Sequence, residues 1–268
     1  MSDGGRSPRL GLLLRAVLLT AEPVQAQIVT DGSVGPKVSL SGGEIKIGAE
    51  LGSRRGDNLF HSFEKFGIAS GQTATFTGPG TVKNVISRVT GGEISNIDGK
   101  LASKVGQADL YFLNPAGVMF GPNAKLDVPG SFHVSTAHEL RFANGESFSA
   151  LDKTGSGLTV APPEAFGFLD RPPGHIAVDQ SQLQLKPGKT FSLVGGDLTI
   201  DGGETGGIEV EDGKVHLVSA AGPSAMQIAD AADTGVGTLY GYFANKDEIL
   251  REVLRHHGEE EVSTFLAA

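Results

Sequence analysis

Short apolar triplets recur through the second half of this sequence with a spacing that few folds can accommodate. They begin at Ile176 (Ile-Ala-Val), Leu183 (Leu-Gln-Leu), Phe191 (Phe-Ser-Leu), Leu198 (Leu-Thr-Ile), Ile208 (Ile-Glu-Val) and Val215 (Val-His-Leu). Every third triplet returns to the same phase: 22 residues separate Ile176 from Leu198, 25 separate Leu183 from Ile208, and 24 separate Phe191 from Val215. Alternation of apolar with polar or small residues inside each triplet marks a half-buried strand. A period in the low twenties with three short strands is what a parallel β-helix coil produces. Each coil needs three walls and three corners, and it buries its inward residues only by stacking on a neighbour. A β-sandwich is the rival, because its strands also recur at about 8–12 residues. Its hairpins would favour two-residue Asn-Gly turns, and only Asn144-Gly145 fits that cleanly. The sequence therefore predicts an all-β chain folded as a parallel β-helix with three short strands per coil.

The first half carries similar text. Val38-Ser39-Leu40, Glu44-Ile45-Lys46-Ile47 and Thr73-Ala74-Thr75-Phe76-Thr77 are strand-like, and Gly42-Gly43, Gly78-Pro79-Gly80 and Gly91-Gly92 punctuate them. The 39 glycines and 6% aromatic content suit many short strands and turns better than a helical bundle. Asn58 to Phe66 differs, since Leu59, Phe63 and Phe66 are spaced by four and three residues. That spacing predicts a short helix or an irregular aromatic cap, a candidate cover for the N-terminal end of the stack. The proline-rich stretch from Ala161-Pro162-Pro163 to Arg171-Pro172-Pro173-Gly174 reads as a loop outside the coils. Asn114-Pro115-Ala116-Gly117 lies between two strand-like runs, where Pro115 fixes its φ and Gly117 can take φ > 0, so a tight corner is expected.

Chemistry is sparse. A net charge of −9 argues against nucleic acid or an anionic membrane as the main partner. The chain has no cysteine, hence no disulfide and no thiolate ligand or nucleophile. The histidines show no metal spacing such as His-Glu-x-x-His, and there is no phosphate-binding glycine loop and no nucleophile elbow. Ser156, between Gly155 and Gly157, reads as a loop residue. Glu209 and Glu211 would share a strand face, with Asp197 and Asp201 flanking the preceding strand. Paired carboxylates could serve as general acid and base, but outward strand positions are normally polar and a solvated face is the better reading. No catalytic residue, metal ligand or cofactor is assigned.

The ends of the chain differ from its middle. Arg6 and Arg9 precede the apolar run Leu10 to Leu19, and Val24-Gln25-Ala26 offers a small-residue cleavage site before Gln27. Residues 1–26 therefore read as a secretory signal peptide, too short for a transmembrane span. Beyond Gly222 the text becomes helical, with Met226-Gln227-Ile228-Ala229-Asp230-Ala231-Ala232 as one segment. Another opens at Asn245 with Glu248 three residues on, a capping-box-like arrangement, followed by an apolar stripe of Ile249, Leu250, Val253 and Leu254.

Several motifs in order carry a resemblance. Gln27-Ile28-Val29-Thr30-Asp31-Gly32, Asn58-Leu59-Phe60-His61-Ser62-Phe63, Ser87-Arg88-Val89-Thr90-Gly91-Gly92, Ser95-Asn96-Ile97-Asp98-Gly99 and the run from Leu110 to Thr136 resemble the N-terminal secretion domain of the filamentous haemagglutinin family, the exoproteins of bacterial two-partner secretion. The resemblance implies a signal peptide followed by a right-handed parallel β-helix over residues 27–222. It also implies a non-enzymatic export module, recognised by an outer-membrane β-barrel transporter with periplasmic domains. Such a chain passes through the periplasm of a Gram-negative-type bacterium to the cell surface or medium, and the exoproteins act mainly as adhesins. Carried over, the recognition and corner residues are Asn114, Pro115, Ala116, Gly117, Asn96, Asp98 and Gly99. Two positions depart from the pattern: Ala116 stands in the family's Asn-Pro-Asn-Gly corner where the second asparagine is usual, and Glu93-Ile94 replaces Asn-Pro after the double glycine. The long repeats that usually follow, through which a host or cell-surface receptor would be met, do not follow here.

The tail, residues 223–268, is similar to something else. Ile228 to Ala232 with Gly235 to Glu248 resembles the second half of a TetR-type helix-turn-helix, which would place Thr238, Tyr240, Tyr242 and Lys246 at DNA. From Met226 onward the acids outnumber the lysines and arginines by eight to three, so DNA is not an expected partner. The alternatives to the export module are thus a DNA-binding regulator and, by analogy of fold, a polysaccharide-cleaving β-helix enzyme. No small-molecule substrate is expected.

Overall fold

The computed structural model describes residues 27–203, 206–220 and 222–228. An antiparallel cover comes first, β1 (Ile28–Thr30) beside β2 (Ser39–Leu40). The chain then winds into a coil through β3 (Glu44–Gly48), a 3-10 turn at Ala49–Leu51, β4 (Ser53–Arg55) and β5 (Asn58–Phe66). The next coil holds β6 (Thr73–Thr77), β7 (Asn84–Val89) and β8 (Ser95–Ile97), and the one after it β9 (Lys100–Ser103), β10 (Asp109–Leu113) and β11 (Val118–Phe120). After β12 (Lys125–Asp127) and β13 (Phe132–Ser135) the chain leaves the stack to make β14 (Glu139–Phe142), β15 (Ser147–Ser149) and β16 (Pro163–Phe168), then returns as β17 (Ile176–Asp179). It continues through β18 (Gln182–Leu185), β19 (Thr190–Gly195) and β20 (Leu198–Asp201), then β21 (Gly207–Val210) and β22 (Lys214–Ser219), before β23 (Ser224–Gln227) departs again.

The product is a parallel β-solenoid. One long wall stacks β5, β7, β10, β13, β19 and β22 in parallel; a short wall stacks β8, β11, β17 and β20; the third stacks β3, β6, β9 and β12, with β18 and β21 carrying it on. The triplet period translates directly into register, because Ile176 pairs with Leu198, Leu183 with Ile208 and Phe191 with Val215. Inward residues form ladders along the stack: Leu59, Val85, Leu110, Phe132 and Phe191 occupy equivalent rungs and are fully buried. Phe132 meets Phe191 edge-on with ring centroids 5.7 Å apart, a favoured aromatic arrangement.

Three expectations need correction. Asn58–Phe66 is a nine-residue strand, not a helix or an irregular cap, and the end cover is β1 with β2. Both of its faces are buried, so the alternation that betrays a half-buried strand is missing. Its partner register also slips between Val29 and Thr30, which leaves Glu64 as an extra residue. That bulge lets Phe63 and Phe66 both face inward at a spacing of three. The proline-rich stretch does lie outside the coils, but Pro163–Phe168 is a strand of a four-stranded antiparallel layer, β15-β14-β16-β23. Met226 and Gln227, expected to be helical, belong to β23, where Ser224, Met226 and Ile228 face the layer's core and Ala225 and Gln227 face out. The other helical expectations of the tail, and residues 1–26, lie outside the described residues.

The antiparallel layer covers the outer face of the long wall and creates a second core. Phe60, Ile86 and Leu113 from the wall pack with Leu140, Phe142, Phe148, Phe166 and Phe168 from the layer. Arg88 pins the two together. Its side chain is fully buried, donating to Ser62 Oγ at 2.8 Å and Ser33 Oγ at 3.0 Å, and also to the Ser149 carbonyl and Ser156 Oγ. The guanidinium lies 4.0 Å from the Phe148 ring centroid, and burial lowers its pKa to about 10. Ser62 passes the contact on to the Asp31 carboxylate at 2.7 Å, which also accepts from Thr90 Oγ1 at 2.8 Å. The Ser87 to Gly92 motif is thereby tied to architecture, and only glycine fits at position 91, because a Cβ there would stand 2.0 Å from the Glu64 carbonyl.

Two buried histidines make the fold acid-sensitive. His61 points into the coil interior beside Ser87, and neither its ring nitrogens nor the Ser87 hydroxyl has a hydrogen-bond partner. Burial lowers its pKa from 6.5 to about 4. His133 faces the second core, stacked 4.7 Å from Tyr111 with Nδ1 2.9 Å from Ser192 Oγ, and burial followed by the His216 charge lowers its pKa to about 3. Both are neutral when folded, whereas the unfolded chain binds protons below pH 6.5. Stability is therefore fully present above that pH and falls as pH drops toward the folded values. At pH 5, clear of most carboxylate titration, each should cost about 2 kcal/mol relative to neutrality. Urea unfolding at pH 7 and pH 5 should show this loss in the parent chain and a loss smaller by about 2 kcal/mol in His61→Leu; an equal loss in both would exclude His61 as a source.

Candidate functional site

The expected recognition residues collect on the short wall, Asn114–Gly117 and Asp98–Gly99 at its two edges and Asn96 between them. Asn114 follows β10 and Val118 opens β11, so Asn114-Pro115-Ala116-Gly117 turns the chain from the long wall onto the short one. The Asn114 side chain has no exposure. Its Nδ2 donates to the Glu93 carbonyl at 3.0 Å and to Ser95 Oγ at 2.9 Å, both in the preceding coil, while Oδ1 accepts the Ala116 N–H at 3.0 Å. This is an Asx turn whose amide also stitches two coils together. Gly117 closes the corner on the Asn114 carbonyl at 3.1 Å and takes φ +128, where a side chain is strained.

Later coils stack on this corner mainly through backbone. The Gly174 N–H donates to the Pro115 carbonyl at 3.0 Å, and the Gly174 carbonyl accepts from Gly196 N–H at 3.1 Å and Thr136 Oγ1 at 2.8 Å. A Cβ on Gly174 would lie 2.6 Å from the backbone of Ala116 and Gly117. The approach is close enough that only glycine fits.

At the opposite edge, Asp98 and Gly99 turn the chain from β8 to β9. The Asp98 carboxylate accepts the Asn123 N–H at 2.9 Å and its side-chain amide at 3.2 Å, so it bridges to the following coil. A Cβ on Gly99 would stand 2.4 Å from the Ala69 carbonyl and 2.5 Å from that of Gln72. Gln72 forms the rung below, accepting from Ala69 N–H and donating to the Gly42 carbonyl, each at 2.9 Å. A polar groove lined by Gln72, Lys100, Asn123, Lys125 and Gln180 runs along this edge.

Between the edges lies a narrow outward face, three residues or about 10 Å across at β8 and β11. Asn96, Met119, Ala177 and Thr199 succeed one another along it in register. Asn96 is exposed, Met119 is 40% exposed, and Ile94, just before β8, is 58% exposed. Ile94 lies over the corner, its Cγ1 3.4 Å from where a Cβ on Gly117 would be. Ile94 and Met119 were not among the expected site residues. Alternation carried the signal for Met119, flanked by inward Val118 and Phe120, and Ile94 sits at a departure from the family pattern.

The remaining candidates are not drawn together. Asp197 and Asp201 bracket β20 on the short wall, whereas Glu209 lies on β21 of another wall, where Gln184 Nε2 donates to it at 3.2 Å. Asp201 instead accepts the Gly203 N–H at 2.9 Å. Ser156 serves its loop, donating to the Asp152 carbonyl at 2.7 Å. Among the described residues no group of three or more His, Cys, Asp or Glu could hold a metal ion, and no helix is long and apolar enough to cross a membrane. Thr238, Tyr240, Tyr242 and Lys246 lie outside the described residues.

Comparison with curated proteins yields no match. A family model for the TPS secretion domain matches residues 26–242. That span takes in the cover, every described coil, both edges of the short wall and the Arg88 clasp, and it runs on past Gly222. The match does not extend the TetR-like resemblance of the tail, which nothing here supports. With a parallel solenoid underlying a match over most of its length, the chain belongs to the family of TPS secretion domains.

Proposed function

We propose that the outward face of the short wall, carrying Ile94, Asn96 and Met119, is the surface by which this module is selected for export, and that the corners at Asn114–Gly117 and Asp98–Gly99 give it its shape. The chain is a secretion module of a two-partner-secretion exoprotein, recognised by an outer-membrane transporter and exported. The observation that carries the finer reading is a contrast at one spot. Asn114 is buried with both ends of its amide engaged, so a partner cannot reach it, while Ile94 and Met119 beside it are exposed apolar side chains. The long wall is closed by its antiparallel layer, and on the third wall Lys100 is occupied by Asp127 at 2.7 Å. Exposed apolar groups rimmed by polar ones are what a protein partner buries.

In this reading residues 1–26 direct the chain to the periplasm, where the transporter's periplasmic domains meet residues 27–222, and the tail takes no part in recognition. The module is non-enzymatic and takes no cofactor. Contact with a host or cell surface belongs to exoprotein segments outside it.

Separating shape from contact gives distinct outcomes. Asn114→Ala leaves the Glu93 carbonyl and the Ala116 N–H without their partner, and urea unfolding should record a loss of about 2 kcal/mol. Ala116→Asn places an amide on a half-buried corner whose backbone bond is already made. It should change stability by less than about 0.5 kcal/mol and leave the exported fraction unchanged; a rise in export would give the asparagine side chain a recognition role. Ile94→Asp with Met119→Asp should leave the unfolding midpoint in place and weaken saturable binding to the periplasmic domains of the cognate transporter about tenfold or more, the scale of a lost apolar anchor. Unchanged affinity would place the contact elsewhere, and absence of saturable micromolar binding by the parent chain would remove the function itself.

A further inference from the structure

Sulfur is scarce in this chain, and one sulfur atom sits on the outward face of the short wall. The sequence has no cysteine and three methionines. Met1 lies outside the described residues. Met226 is half-buried and packs against the second core, paired across the outer layer with buried Phe166. Met119 is different. It is 40% exposed at the middle of β11, and the inward positions of Val118 and Phe120 on either side turn its side chain out to solvent. In register it stands between Asn96 on the rung before and Ala177 on the rung after. Alanine ends at Cβ, so the next rung, about 4.8 Å away, leaves the thioether uncovered on that side. Of the two methionines among the described residues, Met119 is the one a small solute reaches first.

We propose that Met119 is a reversible oxidation site at which peroxides weaken recognition of the export face. The inference rests on the reading that the short wall carries that face. The chemistry needs one co-reactant, a peroxide. A sulfur lone pair of Met119 attacks one peroxide oxygen, and the O–O bond breaks as the S–O bond forms. With hydrogen peroxide, proton transfer to the departing oxygen releases water. Sulfur gives up two electrons and the peroxide gains them. A polar, chiral sulfoxide then replaces a flexible apolar thioether. Buried against a partner, the new oxygen must find a donor or carry the cost of an unpaired polar group. Ile94, 58% exposed and the other apolar group of this face, has no oxidisable atom. Oxidation therefore weakens the contact without abolishing it. Because the side chain points outward, the coil stack is left intact, and sulfoxide reductases reverse the change.

Peroxide treatment of the full chain, followed by peptide mass mapping and binding to the periplasmic domains of the cognate transporter, tests this. Hydrogen peroxide should add one oxygen at Met119 about tenfold faster than at Met226, with the urea midpoint unchanged. The treated chain should bind at least about fivefold more weakly, the scale of one interface side chain. Methionine sulfoxide reductases acting on both epimers should restore the starting affinity. Peroxide should leave the affinity of Met119→Leu wherever it starts, whereas Met226→Leu should be as sensitive as the parent. Equal or faster oxidation of Met226 would overturn the site. Undiminished affinity of the chain oxidised at Met119, or an equal loss in treated Met119→Leu, would overturn its effect on recognition. The export face fails in a separate way: if Ile94→Asp with Met119→Asp binds as tightly as the parent, the face falls and the effect on recognition with it, while selective oxidation at Met119 still stands.

Discussion

A coil of this protein has no core of its own, and the whole structure depends on the stacking that supplies one. A single turn contributes only a few inward side chains, such as Leu110 and Phe112 from β10 with Val118 and Phe120 from β11. They become dry because the turns before and after lie one strand spacing away, about 4.8 Å. Everything else follows from keeping that spacing. Corners must fold to the same height, which is why Gly99 and Gly174 occupy sites where a Cβ would stand within 2.6 Å of the neighbouring backbone. Side-chain amides and carboxylates serve as spacers at the same height, Asn114 reaching the coil before it and Asp98 the coil after it.

This division of labour bears on recognition. Polar residues in a solenoid of this kind are consumed in two ways, as rungs inside corners and as solvated groups on outward faces. Asn114 belongs to the first class and Asn96 to the second, although both sit in motifs of similar appearance. A partner that reads the short wall therefore reads a shape set by the first class through contacts offered by the second. Arg88 shows the same principle on the long wall. Its charge is buried against hydroxyls, a carbonyl and the Phe148 ring, and that fixes where the outer layer sits.

Much of the fold was legible because the later coils are regular. From Ile176 onward three walls repeat with nearly constant corners, so spacing in sequence equals register in space. The earlier coils hide this. On the third wall, Ile45 pairs with Ala74, Ala74 with Leu101 and Leu101 with Leu126, steps of 29, 27 and 25 residues. The excursion between β13 and β17 then interrupts the count altogether. Asn58–Phe66 defeated pattern reading because a bulge at Glu64 and the burial of Phe60 under the outer layer are both tertiary events, invisible in a local window. At the candidate site the corner motif was legible as a landmark, since proline and glycine announce a turn. Its burial was not, and neither was the exposure of Ile94 and Met119, because both depend on which wall the outer layer leaves open.

The most direct test is of register on the short wall, which brings Asn96 beside Met119 across 23 residues of sequence. The chain has no cysteine of its own, so an introduced pair can be read without interference. Neighbouring rungs place Cα atoms about 4.8 Å apart, within the range a disulfide spans. Under mild oxidation, Asn96→Cys/Met119→Cys should close an intramolecular disulfide in the folded monomer, while Asn96→Cys/Val118→Cys, whose second side chain faces the core, should not. Closure of the second pair and failure of the first would contradict the stacking on which this account of fold and export surface rests.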